Sequence, residues 1–156
     1  MWQEVQDKNH WDGLVQKEKH SRFLQSWQWG DFQMSVGRTV KRLNYDDELL
    51  AQVIKMPLVS GKYYWYIPHG PSDTAPEAWD EIIKKLGEYG AVFLRVDPIV
   101  DLDSKNYQPK IVPSTQPQCS FVFDLGLPAE QLLAGMHQKT RYNINLAEKK
   151  GVVIKE

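Results

Sequence analysis

With 156 residues, 42% hydrophobic and 25% charged, the chain has the proportions of a globular protein and enough length to bury a core within one domain. A formal net charge of −1 excludes an overall field that would draw nucleic acid or an anionic membrane surface, so any basic site has to be local. One cysteine, Cys119, excludes an intrachain disulfide and suits a reducing compartment, and no apolar run has signal-peptide or transmembrane character.

Trp2 to Val5 reads as a short first strand. Asn9 to Lys17 carries Trp11, Leu14 and Val15 at helical spacing. Trp27 to Val36 reads as a second helix, with Trp29, Phe32 and Val36 directed toward a core before Gly37. Thr39 to Asn44 and Leu49 to Met56 are strands joined by a turn at Asp46 and Asp47, and Pro57 closes the second. Lys62 to Ile67 is a strand with Tyr63 and Trp65 on one face and Tyr64 and Tyr66 on the other. Thr74 and Glu77 make a capping box for a helix whose core face is Trp79, Ile82, Ile83 and Leu86, with Gly90 beyond its end. Ala91 to Val96 is a strand stopped by Asp97-Pro98, and Asp101 to Pro117 is a long polar loop. Ser120 to Leu125 is a final strand, followed by helical segments from Pro128 onward. The pattern justifies an α/β (α+β layered) domain, a mixed sheet with helices on its faces.

The last helix is basic. His137, Arg141, Asn145 and Lys149 share one stripe, and Leu133, Met136, Thr140, Ile144 and Ala147 form the less polar stripe beside it. Lys149 and Lys150 suit the negative end of the helix dipole, and Gly151 suits the left-handed residue that ends a helix. Such a helix is either a solvated amphipathic face or an anion grip in which Lys139 and Arg141 hold phosphate or carboxylate.

Other catalytic patterns are weak. His10, His20, His69 and His137 show no metal-ligand spacing, so no metal is expected, and His69 reads as a loop histidine in a Pro/Gly turn. Asp46, Asp47 and Glu48 read as a solvated turn, and Asp97 as a turn former. Cys119 has no activating neighbour and reads as a buried structural thiol. Six Trp and seven Tyr imply an aromatic core or cleft, with Tyr66 placed at a cleft edge.

Several strings carry a family resemblance. Phe23-Leu24-Gln25-Ser26, then Trp27 and Trp29-Gly30-Asp31-Phe32, precede Tyr66-Ile67-Pro68-His69-Gly70-Pro71 and Phe93-Leu94-Arg95-Val96-Asp97-Pro98. Gln116-Pro117 and Phe121-Val122-Phe123-Asp124-Leu125 follow, then Lys139-Thr140-Arg141-Tyr142-Asn143-Ile144 and Ala147-Glu148-Lys149-Lys150-Gly151-Val152. In this order, over nearly the whole chain, they resemble the Fem-type (FemABX) aminoacyltransferases that build the interpeptide bridge of bacterial peptidoglycan.

The resemblance implies an acyl-coenzyme A N-acyltransferase-like lobe, with residues 1–156 as a single lobe forming the N-terminal half of a two-lobed protein. It implies transfer of an amino acid from aminoacyl-tRNA to the stem peptide of a UDP- or lipid-linked muropeptide precursor, in the cytoplasm, with the inner face of the membrane left open. Lys139, Arg141, Tyr66, Gly70, Pro71 and Asp73 are the positions it marks for substrate, and it assigns no catalytic residue. Where family members place a phosphate-binding lysine this chain has Gln33, which either weakens precursor binding or passes that task to another residue such as Arg38 or Lys41. No cofactor is expected. Coenzyme A is disfavoured because Pro68 and Pro71 remove two amide donors from the turn after the aromatic strand. The intact protein is then an aminoacyltransferase and the chain alone is inactive. The alternatives are an acyltransferase with another donor, or a non-catalytic module that binds a phosphorylated ligand or a partner protein.

Overall fold

The computed structural model describes residues 1–17, 23–71, 76–99, 109–117, 119 and 121–155. The chain divides into two compact units, Met1–Gln116 and Pro117–Glu156. The first holds β1 (Trp2–Glu4), α1 (Lys8–Lys17), a 3-10 turn at Phe23–Gln25, α2 (Trp27–Ser35), β2 (Val40–Tyr45), β3 (Leu49–Pro57), a 3-10 turn at Val59–Gly61, β4 (Tyr63–Pro68), α3 (Pro76–Gly87) and β5 (Leu94–Asp97). The second holds α4 (Ala129–Gly135) and α5 (Gln138–Lys149).

The five strands form one sheet in chain order, antiparallel from β1 to β4 and parallel between β4 and β5. The expected α+β layering and mixed sheet are therefore present. Asp46 and Asp47 make the β2–β3 turn with φ of 51° and 58°, left-handed values that a short polar side chain tolerates. Asn44 supports the turn, accepting from the Asp47 N–H at 3.0 Å and donating to its carboxylate at 2.6 Å.

The pleat sends alternate residues to opposite faces. One face is apolar. Leu43, Leu49, Ala51, Val53, Trp65 and Ile67 pack with Trp2 and with Ala78, Trp79, Ile82 and Leu86 of α3. Trp2 belongs in this core because its indole N–H donates to the Ala78 carbonyl at 2.7 Å. Ile83, expected on the core face of α3, is 37% exposed, since it lies one residue, about 100°, away from the buried Ile82. Thr74, the expected cap of this helix, lies outside the described residues.

The opposite face is polar at its centre. Arg42 and Gln52 are register partners on β2 and β3, and both are buried. Arg42 donates from Nε to Gln52 Oε1 at 3.1 Å and from Nη2 to the Trp27 carbonyl and to Asp31, each at 2.9 Å. Its guanidinium carbon lies 3.5 Å from the Trp27 ring centroid. Burial pulls the Arg42 pKa down and the bond to Asp31 opposes that pull, so the ion pair accounts for an arginine at this depth. Gln52 donates to the Leu24 and Ser26 carbonyls, each at 3.0 Å, and its N–H donates to Gln25 Oε1 at 2.6 Å. Gln25 donates onward to the Pro68 carbonyl at 2.5 Å, and Trp11 Nε1 donates to the Gln25 carbonyl at 2.8 Å. A smaller apolar cluster of Val5, Trp11, Leu14 and Leu50 lies on the same face.

This network corrects the expected orientation of α2. Ser26 caps the helix, accepting from the Trp29 N–H at 3.1 Å, but the buried residues of α2 are Gly30 and Gln33. Phe32 and Val36 are 52% and 54% exposed. The helix sits on the Arg42–Gln52 pair, and only a residue without a side chain fits there: a Cβ on Gly30 would lie 2.3 Å from Gln52 Oε1 and 2.4 Å from Arg42 Nη2.

Two expectations fail beyond β5. Residues 121–124 are not a strand, because among the described residues they have no ladder partner, and Phe121 and Val122 are 92% and 95% exposed. Cys119 is exposed rather than buried. The helical reading after Pro128 holds. α5 ends in a Schellman motif, with the Val152 N–H on the Ala147 carbonyl at 3.1 Å, the Gly151 N–H on Glu148 at 2.9 Å and Gly151 at φ 76°.

Candidate functional site

Tyr66, Gly70 and Pro71, three of the substrate positions expected in Met1–Gln116, gather at the end of β4. Tyr66 shares a face with the polar network, next to Ile54 on β3 and Arg95 on β5. It is 6% exposed. Its hydroxyl donates to Asp97 Oδ2 at 2.7 Å and accepts from Gln116 Nε2 at 3.0 Å. The same Asp97 oxygen accepts from the Thr115 N–H at 3.2 Å. Burial, reinforced by the bond to the Asp97 carboxylate, pushes the phenol up to about 12, so Tyr66 is a neutral donor across the physiological range. Arg95 donates from Nη2 to the Pro113 carbonyl, while its buried Nε has no partner. Beside them Tyr64 and Phe93 stack with ring centroids 4.7 Å apart.

Gly70 and Pro71 follow β4 and are buried. A Cβ on Gly70 would meet Gln25 Nε2 at 3.0 Å and Ile67 Cγ2 at 3.1 Å, so this glycine marks a close approach of the turn to the buried glutamine. Two strings separated by some forty residues are thereby one structure: Gln25 holds both the Gln52 backbone and the carbonyl of Pro68. His69 stands in this turn at φ 51°. Asp73 lies outside the described residues.

The resemblance assigns a phosphate role to the position of Gln33. Here Gln33 is 1% exposed and accepts from the guanidinium of Arg38, a buried arrangement. Lys41 is bonded to Glu4 at 2.9 Å, and that bond raises its pKa. The candidates for the missing lysine are thus occupied within the fold.

In Pro117–Glu156, His137 is the N-cap of α5, its Nδ1 accepting from the Lys139 N–H at 3.2 Å. Lys139 and Arg141 therefore stand in the first turn and a half. They are two residues apart, about 200° around the axis, and do not share a face. Lys139 is exposed, whereas Arg141 is half-buried and donates to the Met136 carbonyl. Both cations sit at the positive end of the helix dipole, an arrangement that a bound anion would relieve.

Among the described residues no group of histidine, cysteine, aspartate and glutamate side chains could hold a metal ion. No described helix is long and apolar enough to cross a membrane.

No family model matches the sequence, and no curated protein matches it. Among solved structures the chain is similar to the crystal structure of FemX, at a TM-score of 0.53 and 19% identity. Its fold is Fem-like. The similarity spans 68% of this chain and 29% of FemX, so the matched part covers less than a third of that protein's length.

Sequence reasoning placed Tyr66, Gly70 and Pro71 at one locus and missed the partners that define it. Asp97 read as a turn former, yet its carboxylate binds Tyr66 and Thr115. The signal available was that Arg95, Asp97 and Gln116 all lie in strings that carried the resemblance.

Proposed function

We propose that the chain is part of a Fem-type non-ribosomal peptidyltransferase that passes an amino acid from aminoacyl-tRNA to the stem peptide of a peptidoglycan precursor. The observation that carries this reading is the FemX-like fold of a chain that also bears the ordered Fem-type strings. Attack of an amine on an activated ester needs chiefly positioning and charge stabilisation, so a site without a protein nucleophile is compatible with the reaction. The precursor is UDP- or lipid-linked, the work is cytoplasmic, and the fragment alone is inactive.

The chain is the N-terminal part of a two-lobed protein. In this reading residues 1–156 are a single N-acyltransferase-like lobe, the N-terminal half of that protein.

Lys139 and Arg141 bind the anionic substrate, Arg141 as a planar fork. In the full-length protein Arg141→Ala should weaken precursor binding about tenfold or more, with thermal stability nearly unchanged and Arg141→Lys recovering only part of the loss. Titration of precursor and measurement of aminoacyl transfer, with acetyl-coenzyme A run as an alternative donor, decide the matter. Unchanged affinity and rate reject the role of Arg141. Turnover with acetyl-coenzyme A alone rejects the aminoacyl-tRNA donor, and precursor binding without transfer from either donor leaves a binding module.

A further inference from the structure

We infer that Tyr66, Asp97 and Arg95 form a latch that pins residues 113–116, the segment closing the first compact unit, to the polar face of β4 and β5. Three side chains from two adjacent strands all bond to this one segment. Tyr66 and Arg95 are register partners, and Asp97 stands two residues beyond Arg95 on the same face. Arg95 takes the Pro113 carbonyl, Asp97 takes the Thr115 N–H at 3.2 Å, and Tyr66 takes the Gln116 carboxamide at 3.0 Å.

The donor and acceptor roles are fixed by chemistry. A carboxylate only accepts, so the phenol proton points at Asp97, 2.7 Å away. The phenol oxygen is then left as an acceptor and matches the NH2 of Gln116. Asp97 thus orients Tyr66, and Tyr66 in turn selects an N–H donor from the segment. The segment has no regular structure of its own, and residues 109–115 are exposed. Its three tethers are what define its path up to Gln116, after which the second unit begins.

Tyr66 is accordingly a positioning residue for residues 113–116, not a substrate contact. This goes beyond the transferase reading, because it holds whether or not the protein transfers an amino acid.

Hydrogen exchange on the whole chain tests the latch. In Asp97→Ala the Thr115 amide should exchange about tenfold faster than in the unaltered chain, with β3 and β4 amides unchanged. Tyr66→Phe should speed exchange across 115–116 and expose 109–117 to limited proteolysis. Gln116→Ala, a change outside the strands that removes only the bond to the Tyr66 hydroxyl, should speed exchange of the residue-116 amide and open 109–117 to proteolysis even if Tyr66→Phe fails to fold. Unaltered Thr115 exchange in Asp97→Ala, together with unaltered proteolysis in Gln116→Ala, would overturn the latch. A Tyr66→Phe variant that changes KM for precursor in the full-length enzyme while leaving the exchange of 113–116 untouched would also overturn it, in favour of direct substrate contact.

Discussion

The two faces of the sheet in Met1–Gln116 are built on opposite chemistries. One is closed by side chains that need only fill space: Leu43, Val53, Trp65, Ile67 and the α3 residues Trp79, Ile82 and Leu86. The other is closed by Gln25, Gln33, Arg42 and Gln52, buried polar groups whose bonds run largely to backbone carbonyls of the segments they hold. The apolar face gains from area removed from water, a non-directional and roughly additive effect. The polar face depends on each donor meeting its acceptor, so its members stand or fall together. Tyr66 and its neighbours Arg95 and Asp97 lie on the polar face, where direction is already specified.

The largest expected effects come from cutting each face once. Ile82→Ala should cost about 2–5 kcal/mol through lost burial and a cavity. Gln52→Ala should cost about 3 kcal/mol although it removes little apolar surface, because Arg42 Nε and the Leu24 and Ser26 carbonyls lose a partner. Denaturant unfolding measures both. The contrast sharpens in a double-mutant cycle: Arg42→Met with Gln52→Leu should cost less than the sum of the single changes by about 1 kcal/mol or more. Strict additivity would refute the network.

Gly30→Ala is next. Glycine to alanine inside a helix ordinarily stabilises by up to about 1 kcal/mol. Here the methyl meets Gln52 Oε1 and Arg42 Nη2, and the expected outcome is a loss of about 1–3 kcal/mol on thermal unfolding. A stabilised variant would show that the two faces differ less than the geometry says.

A smaller effect is electrostatic. The Tyr66 phenol is raised from 10.0 to about 12, so the unfolded chain loses this proton before the folded one. Its contribution to stability is complete below pH 10 and lost as pH rises from 10 toward 12. Spectrophotometric titration should show one tyrosine ionising near 12, absent in Tyr66→Phe. Titration of all tyrosines near 10 would contradict the buried donor bond.

The smallest effect is expected at Val36, which the helical pattern directs to a core and the structure leaves 54% exposed. Val36→Ser should change stability by no more than about 0.5 kcal/mol, whereas a loss above 1 kcal/mol would restore the apolar reading of α2.

The sequence by itself determined the elements whose causes are local. Alternation put Trp65 and Tyr66 on opposite faces of β4, Trp79, Ile82 and Leu86 lined α3, and Gly151 ended α5 as its position required. It also brought Tyr66, Gly70 and Pro71 together, since neighbours in sequence need no fold to meet. Only the tertiary structure decided the rest. α2 turned its glycine and glutamine inward because Arg42 and Gln52 occupy the surface beneath it, which no periodicity within the helix records. Residues 121–124 stayed out of the sheet because a strand exists only where another offers its N–H and C=O groups. Asp97 became a partner of Tyr66 through the parallel register of β4 and β5, which sets a turn-forming aspartate beside a phenol thirty-one positions earlier in the chain. Hydrogen bonds between distant residues depend on register and crossing, and those are fixed by the packing of the whole sheet rather than by any single segment.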